Sequence, residues 1–209
     1  MSHYEQICQF RVPVDLAYND KKLLEQLLAP FWNETRLRDI LLPILNHSSC
    51  VSLRVLDWLA TNYAKSHRVV YAIEVPPDGR VQLFDLHRAY QDHLEQYRRR
   101  GFDPFRRKKP GPHGPKEIWF SVSGEQYATT VAQLNFMYWA HRYGVLRYAA
   151  KYYERIAHEM KNNIMETKRR RALRCTGKPI RKRKEISQRA SGPCFVYPVA
   201  VAQELGMLC

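Results

Sequence analysis

The sequence predicts an α+β fold: a small antiparallel sheet packed with several helices, followed by a basic extended C-terminal arm. Three observations lead there. Apolar residues recur at helical spacing in several separate stretches. Between them lie short β-branched and aromatic runs, two of which flank the turn Pro76-Pro77-Asp78-Gly79. The cations gather in two segments, residues 98–116 and 166–189, instead of spreading over the chain.

Residues 7–18 alternate through Phe10, Val12 and Val14 as an edge strand, with Pro13 unable to donate to a ladder. Asn19 or Asp20 is placed to cap a helix whose apolar face is Leu23, Leu24, Leu27 and Leu28, ended by Pro30. A second helix follows Asn33, with Leu37, Ile40, Leu41 and Ile44 at i, i+3, i+4, i+7 and Pro43 bending its last turn. A third spans about 52–65.

Arg68–Val75 and Val81–Phe84 read as paired strands around the Pro-Pro-Asp-Gly turn, where Pro presets φ and Gly accepts a positive one. Asp85 is placed to cap a helix over 86–100, with Gly101 as the residue that ends it. Glu117–Val122 is expected as a third strand of the same sheet. A helix over about 129–143 stops at Gly144, and a last one from Val145 fades near 165 into the arm. The division expected is 1–50 as N-terminal strand and helices, 51–165 as an α+β core carrying the basic loop, and 166–209 as basic arm and apolar tail.

The net charge is +14. The loop 98–116 carries eight Lys/Arg and one acid, and the run 166–189 eleven Lys/Arg and two acids, so the remainder is near neutral. A neutral body with two basic appendages implies a polyanionic partner: nucleic acid, an anionic membrane or an acidic protein face. The residues expected to meet it are Arg98, Arg99, Arg100, Phe102, Phe105, Arg106, Arg107, Lys108 and Lys109 in the loop, and Lys168, Arg169, Arg170, Arg171, Arg181, Lys182, Arg183 and Lys184 in the arm. Arg forks beside the Phe rings could hold phosphates and stacked bases. Both Phe could equally anchor the loop in the core. The two arm clusters fit a two-part nuclear-import signal as well as a phosphate-neutralising arm.

No catalytic constellation is present in the pattern: the acids are scattered, Asp85-Leu86-His87 reads as a cap, and Gly111-Pro112-His113-Gly114-Pro115 puts prolines where a phosphate loop needs N–H groups. The five Cys lack zinc-ligand spacing and read as reduced thiols. The N-terminus does not read as a signal peptide. The expectation is a non-enzyme without cofactor or metal, and without a small-molecule substrate.

Leu56-Asp57-Trp58-Leu59-Ala60-Thr61-Asn62-Tyr63-Ala64-Lys65, Phe102-Asp103-Pro104-Phe105-Arg106-Arg107, Thr130-Val131-Ala132-Gln133-Leu134-Asn135-Phe136 and the Lys/Arg run at 181–184 together resemble a family of small basic proteins of the nucleocytoplasmic large DNA viruses, the iridovirus, phycodnavirus and mimivirus group. The resemblance covers about residues 55–186. It implies a large icosahedral particle with an internal membrane, assembled in the host cytoplasm, with nuclear entry open. The expected role is a minor capsid component that laces neighbouring proteins, the major capsid protein included, through basic and apolar extensions, with viral DNA or the anionic inner membrane as further contacts. The alternative is a sequence-nonspecific nucleic-acid-binding protein that packages or transcribes the viral genome.

Overall fold

The computed structural model describes residues 10–75, 79–105 and 116–174. Its elements are β1 (Phe10–Arg11), α1 (Tyr18–Phe31), α2 (Glu34–Arg36), a π-helical turn (Leu37–Leu41), α3 (Leu42–Leu45), α4 (Leu53–Trp58), a second π turn (Leu59–Tyr63), α5 (Ala64–His67), β2 (Val70–Val75), β3 (Arg80–Asp85), α6 (Leu86–Phe102), β4 (Ile118–Val122), β5 (Glu125–Thr129), α7 (Val131–Arg142), α8 (Val145–Lys151) and α9 (Tyr153–Arg174). The class is the expected α+β, with small antiparallel sheets.

Two units divide the chain. Residues up to Val69 together with Asp85–Tyr153 form one; Val70–Phe84 and the chain from Glu154 form the other. The first holds most of the core, with Leu41, Leu56, Leu59, Leu86, Phe102, Ile118, Leu134 and Phe136 almost fully buried.

Local chemistry explains most boundaries. Asn33 Oδ1 accepts the Arg36 N–H, Ser52 Oγ accepts from Val55, Asp85 Oδ1 from Arg88 and Thr130 Oγ1 from Gln133, each satisfying a donor that a first helical turn leaves unpaired. The bend expected at Pro43 is the first π turn: Leu42 N–H donates to Leu37 O, so the ladder slips a residue just before a Pro with no N–H to give.

Several sequence expectations are corrected. Helix α1 runs from Tyr18 through Pro30 to Phe31; its N-cap, Ala17, makes no side-chain cap, and Asp20 is drawn into an ion pair instead. Of the strand expected over 7–18, residues 7–9 lie outside the described residues, and the rest is strand only at β1, with Leu16 N–H turned back to Pro13 O. Strand β4 does not join the β2–β3 hairpin. It pairs with β1 (Phe10 opposite Phe120) and with β5 (Phe120 opposite Tyr127), in the order β1-β4-β5. Strand β5 was not foreseen: Ser123 and Gly124, both at positive φ, make a hairpin where a plain turn was expected. Phe10, Phe120 and Tyr127 then stack across the inner face, at 5.5 and 5.8 Å between ring centres.

The last helix is two, broken at Tyr152. An extended arm from 166 is also corrected: the chain stays helical to Arg174. Its Lys/Arg residues are good helix formers, and Glu166 and Arg170 make an i, i+4 pair. Among the described residues no helix is long and apolar enough to cross a membrane.

Candidate functional site

The end of α6 is the most constrained stretch of the first unit. Its helix breaks at Arg98, at φ 57° and ψ 171°, a conformation that side chains other than Gly rarely adopt. Gly101 was expected to end the helix, which instead runs to Phe102, and the residue at positive φ is Arg98. Gly101 serves close approach, because a Cβ there would meet Leu23 Cδ2 at 3.1 Å and Tyr97 Cβ at 3.4 Å.

Three contacts hold the segment that follows. Arg100 grips Asp20 of α1 through both carboxylate oxygens. The Asn135 side chain of α7 donates to Gly101 O at 2.9 Å. Gln133, two residues nearer the start of α7, accepts from Thr129 Oγ1 and donates to Pro104 O. Asp103 Oδ1 then accepts the Phe105 N–H. The segments Phe102–Phe105 and Thr130–Phe136, separate in sequence, are therefore one hydrogen-bonded unit.

The third segment, Leu56–Lys65, joins them electrostatically. Asp57 is half-buried, and no hydrogen bond to its carboxylate is present among the described residues. Burial first, and the charge of Asp103 second, raise its pKa to about 6; Arg54 opposes them. Tyr90 lies in the same field, its hydroxyl pushed up by burial and by Asp57 and Asp103.

These placements sort the residues expected to bind a polyanion. Phe102 is not a stacking platform. It is fully buried, with ring centres of His93, Phe136 and Trp139 each 5.5 Å away, because a large apolar ring gains more in a closed core than beside charge. Arg100 is committed to Asp20. Arg98 and Arg99 are exposed, and so is Phe105, at 44%. Arg106, Arg107, Lys108 and Lys109 lie outside the described residues, as do Arg181, Lys182, Arg183 and Lys184. Downstream, Lys116 pairs with Asp15.

In the second unit, every residue from Lys161 to Ala172 of α9 is exposed. Lys168, Arg169 and Arg171 are exposed there, and Arg170 pairs with Glu166. Following one stripe in steps of three and four gives Ala157, Met160, Ile164, Lys168 and Arg171. The stripe is buried at Ala157 and open, then cationic, beyond Met160.

Sequence reasoning missed a groove among α1, α6 and α7. It has a volume of about 840 Å³ and is lined in part by Lys22, Phe31, His93, Tyr97, Asn135 and Arg142. The signal available in the sequence is the aromatic stretch of α7, which carries Asn135, Tyr138 and Trp139 to the groove. Among the described residues no cluster of His, Cys, Asp and Glu is arranged to hold a metal ion.

Comparison with known proteins adds a family and a context. A family described as a family of unknown function, DUF7197, matches residues 9–194. A protein of Acanthamoeba polyphaga mimivirus, described as uncharacterized, is 33% identical over 131 residues, covering 63% of this chain and 49% of the relative. The chain thus spans about half the length of the curated relative it matches. The link to nucleocytoplasmic large DNA viruses stands; smallness and basic character are not shown for the family. No solved structure matches.

Proposed function

We propose, for a chain that belongs to the DUF7197 family of unknown function, a non-enzymatic docking role in a large DNA virus: a minor capsid component held to neighbouring capsid proteins, the major capsid protein among them, by its basic and apolar extensions. The observation that carries this reading is the open half of α9. A helix exposed on all sides over residues 161–172 gains nothing from burial in its own fold. Its stripe of Ile164, Lys168 and Arg171 suits a partner surface that is apolar at the centre and acidic at the rim. Binding is then multivalent and nothing is turned over.

The test is cross-linking of intact particles, followed by staged disruption. Cross-links from Lys161 or Lys168 to a shell protein, and release with the shell, support the reading. Release with the genome core sinks it.

One observation favours a second reading, nonspecific nucleic-acid binding. Lys168, Arg169 and Arg171 fall within about 160° of the helix circumference, at 3.6 residues per turn, a continuous cationic face that suits a run of phosphates. A salt titration against a generic duplex separates the two. Replacing Lys168, Arg169 and Arg171 with Gln in the full chain should lower the log–log salt slope by about 3 if each neutralises one phosphate. An unchanged slope argues for the protein partner.

A further inference from the structure

The α1/α6/α7 groove has a floor and a rim of different chemistry. At the floor, Asn135 is 2% exposed. Its orientation is fixed, since Gly101 O only accepts and must face Nδ2. That leaves Oδ1, which receives no hydrogen bond among the described residues, as an acceptor on a side chain that lines the groove. His93 reaches the same result by another route. Its Nδ1 lies 2.9 Å from Ala89 O and must carry the proton. Burial holds the ring below the ordinary imidazole pKa, so the neutral form presents an unprotonated Nε2. The floor therefore offers two acceptors, a combination that calls for a ligand with N–H donors.

The walls are flat. Phe31 stacks on Tyr138 at 4.1 Å, and Tyr97 of α6 also lines the groove. The rim is cationic on balance, with Lys22 and Arg142 against Glu25. Tyr138 Oη accepts from Arg142 Nη1 at 2.6 Å and Tyr143 also hydrogen-bonds the guanidinium, which presets it while its N–H donors still outnumber these partners. A volume of about 840 Å³ lies within the range of small-molecule sites.

We infer that this groove binds a nucleobase with its attached phosphate: the base enters between the aromatic walls, its amino or ring N–H groups donate to Asn135 Oδ1 and His93 Nε2, and the phosphate meets Arg142. The ligand is bound and not converted. The same chemistry could come from a free nucleotide or from an unpaired base in a strand. This inference is independent of the docking role of α9.

The experiment is calorimetric titration of the full chain with AMP, GMP, CMP and UMP, with a single-stranded hexanucleotide, and with N-acetyltryptophanamide as an uncharged N–H-bearing ring. At least one mononucleotide should bind below millimolar, and the tryptophan analogue should not. Arg142→Gln should weaken binding about tenfold, the loss of one charge-assisted contact. His93→Phe should weaken it roughly fivefold, the loss of one neutral hydrogen bond. Arg142 is exposed, so its variant keeps the test valid if His93→Phe fails to fold. Mononucleotide affinity equal to that of the hexamer identifies a free nucleotide as the ligand; hexamer binding at least tenfold tighter, and sensitive to Arg142→Gln, identifies a strand. No nucleotide binding at 1 mM (roughly the weak end of specific recognition), preference for the tryptophan analogue, or affinity unchanged by both variants would each overturn the inference.

Discussion

Arg100 and Asp20, eighty residues apart, form a bidentate ion pair: Nε to Oδ1 and Nη2 to Oδ2, both 2.9 Å. The pair ties the kinked end of α6 to the first turn of α1. Asp20→Asn should destabilise the protein by about 1 kcal/mol in urea unfolding, the value of a charge-assisted fork discounted for the solvent open to Arg100. Arg100→Gln should leave polyanion affinity unchanged, whereas Arg99→Gln should lower it. A loss of affinity in Arg100→Gln equal to that in Arg99→Gln would show that the pair opens for a ligand.

Phe102 and Phe105 look equivalent in the sequence and should behave oppositely. Phe102→Ala removes the centre of an aromatic cluster and should cost about 3–5 kcal/mol. Phe105→Ala, at an exposed position, should change stability by less than about 0.5 kcal/mol. Thermal unfolding of the two variants settles it; similar shifts would mean the cluster is misassigned.

Asp57 sets a sign for pH dependence. Its folded pKa of about 6 lies above the ordinary 3.8, so the folded state holds a proton that the unfolded chain releases. Its contribution is present in full below about pH 4 and is lost as pH rises through about 6. Asp57→Asn should flatten this part of the stability profile. At neutral pH it should stabilise by about 1 kcal/mol, after discounting for partial exposure. A steeper profile in the variant would contradict the assignment.

Arg98 occupies backbone that favours Gly. Arg98→Gly should stabilise the fold by about 1 kcal/mol or leave it unchanged, with the entropy of a more flexible unfolded chain opposing the relief of strain. A clear destabilisation in chemical denaturation would mean that the Arg98 side chain anchors the kink.

Much of this was legible. Apolar spacing located the helices through α7, and the Pro-Pro-Asp-Gly turn identified the β2–β3 hairpin. Strand partners were not legible, because β4 alternates inward and outward in the same way whichever sheet receives it; its choice of β1 and β5 is a matter of tertiary packing. The caps at Asp85 and Asn33 were readable from residue type, but Asp20 was not, since a carboxylate near a helix start serves a cap or a distant Arg equally well. At the basic segments, charge density could not separate free cations from paired ones. Composition could not show that Arg100 is spent or that Phe102 turns inward. The floor of the groove depends on which atom of Asn135 is left over, and that follows only from where Gly101 O sits.

Lys116–Asp15 and Arg100–Asp20 stand on either side of residues 101–115, and both acids belong to the short run that opens α1. The start of α1 is thus a fulcrum with two levers. Lys22 and Phe31, further along α1, line the groove, so a partner that displaced α1 would change the groove. Any free energy by which such a partner changes the groove must appear with equal size when a ligand in the groove changes the grip on the partner.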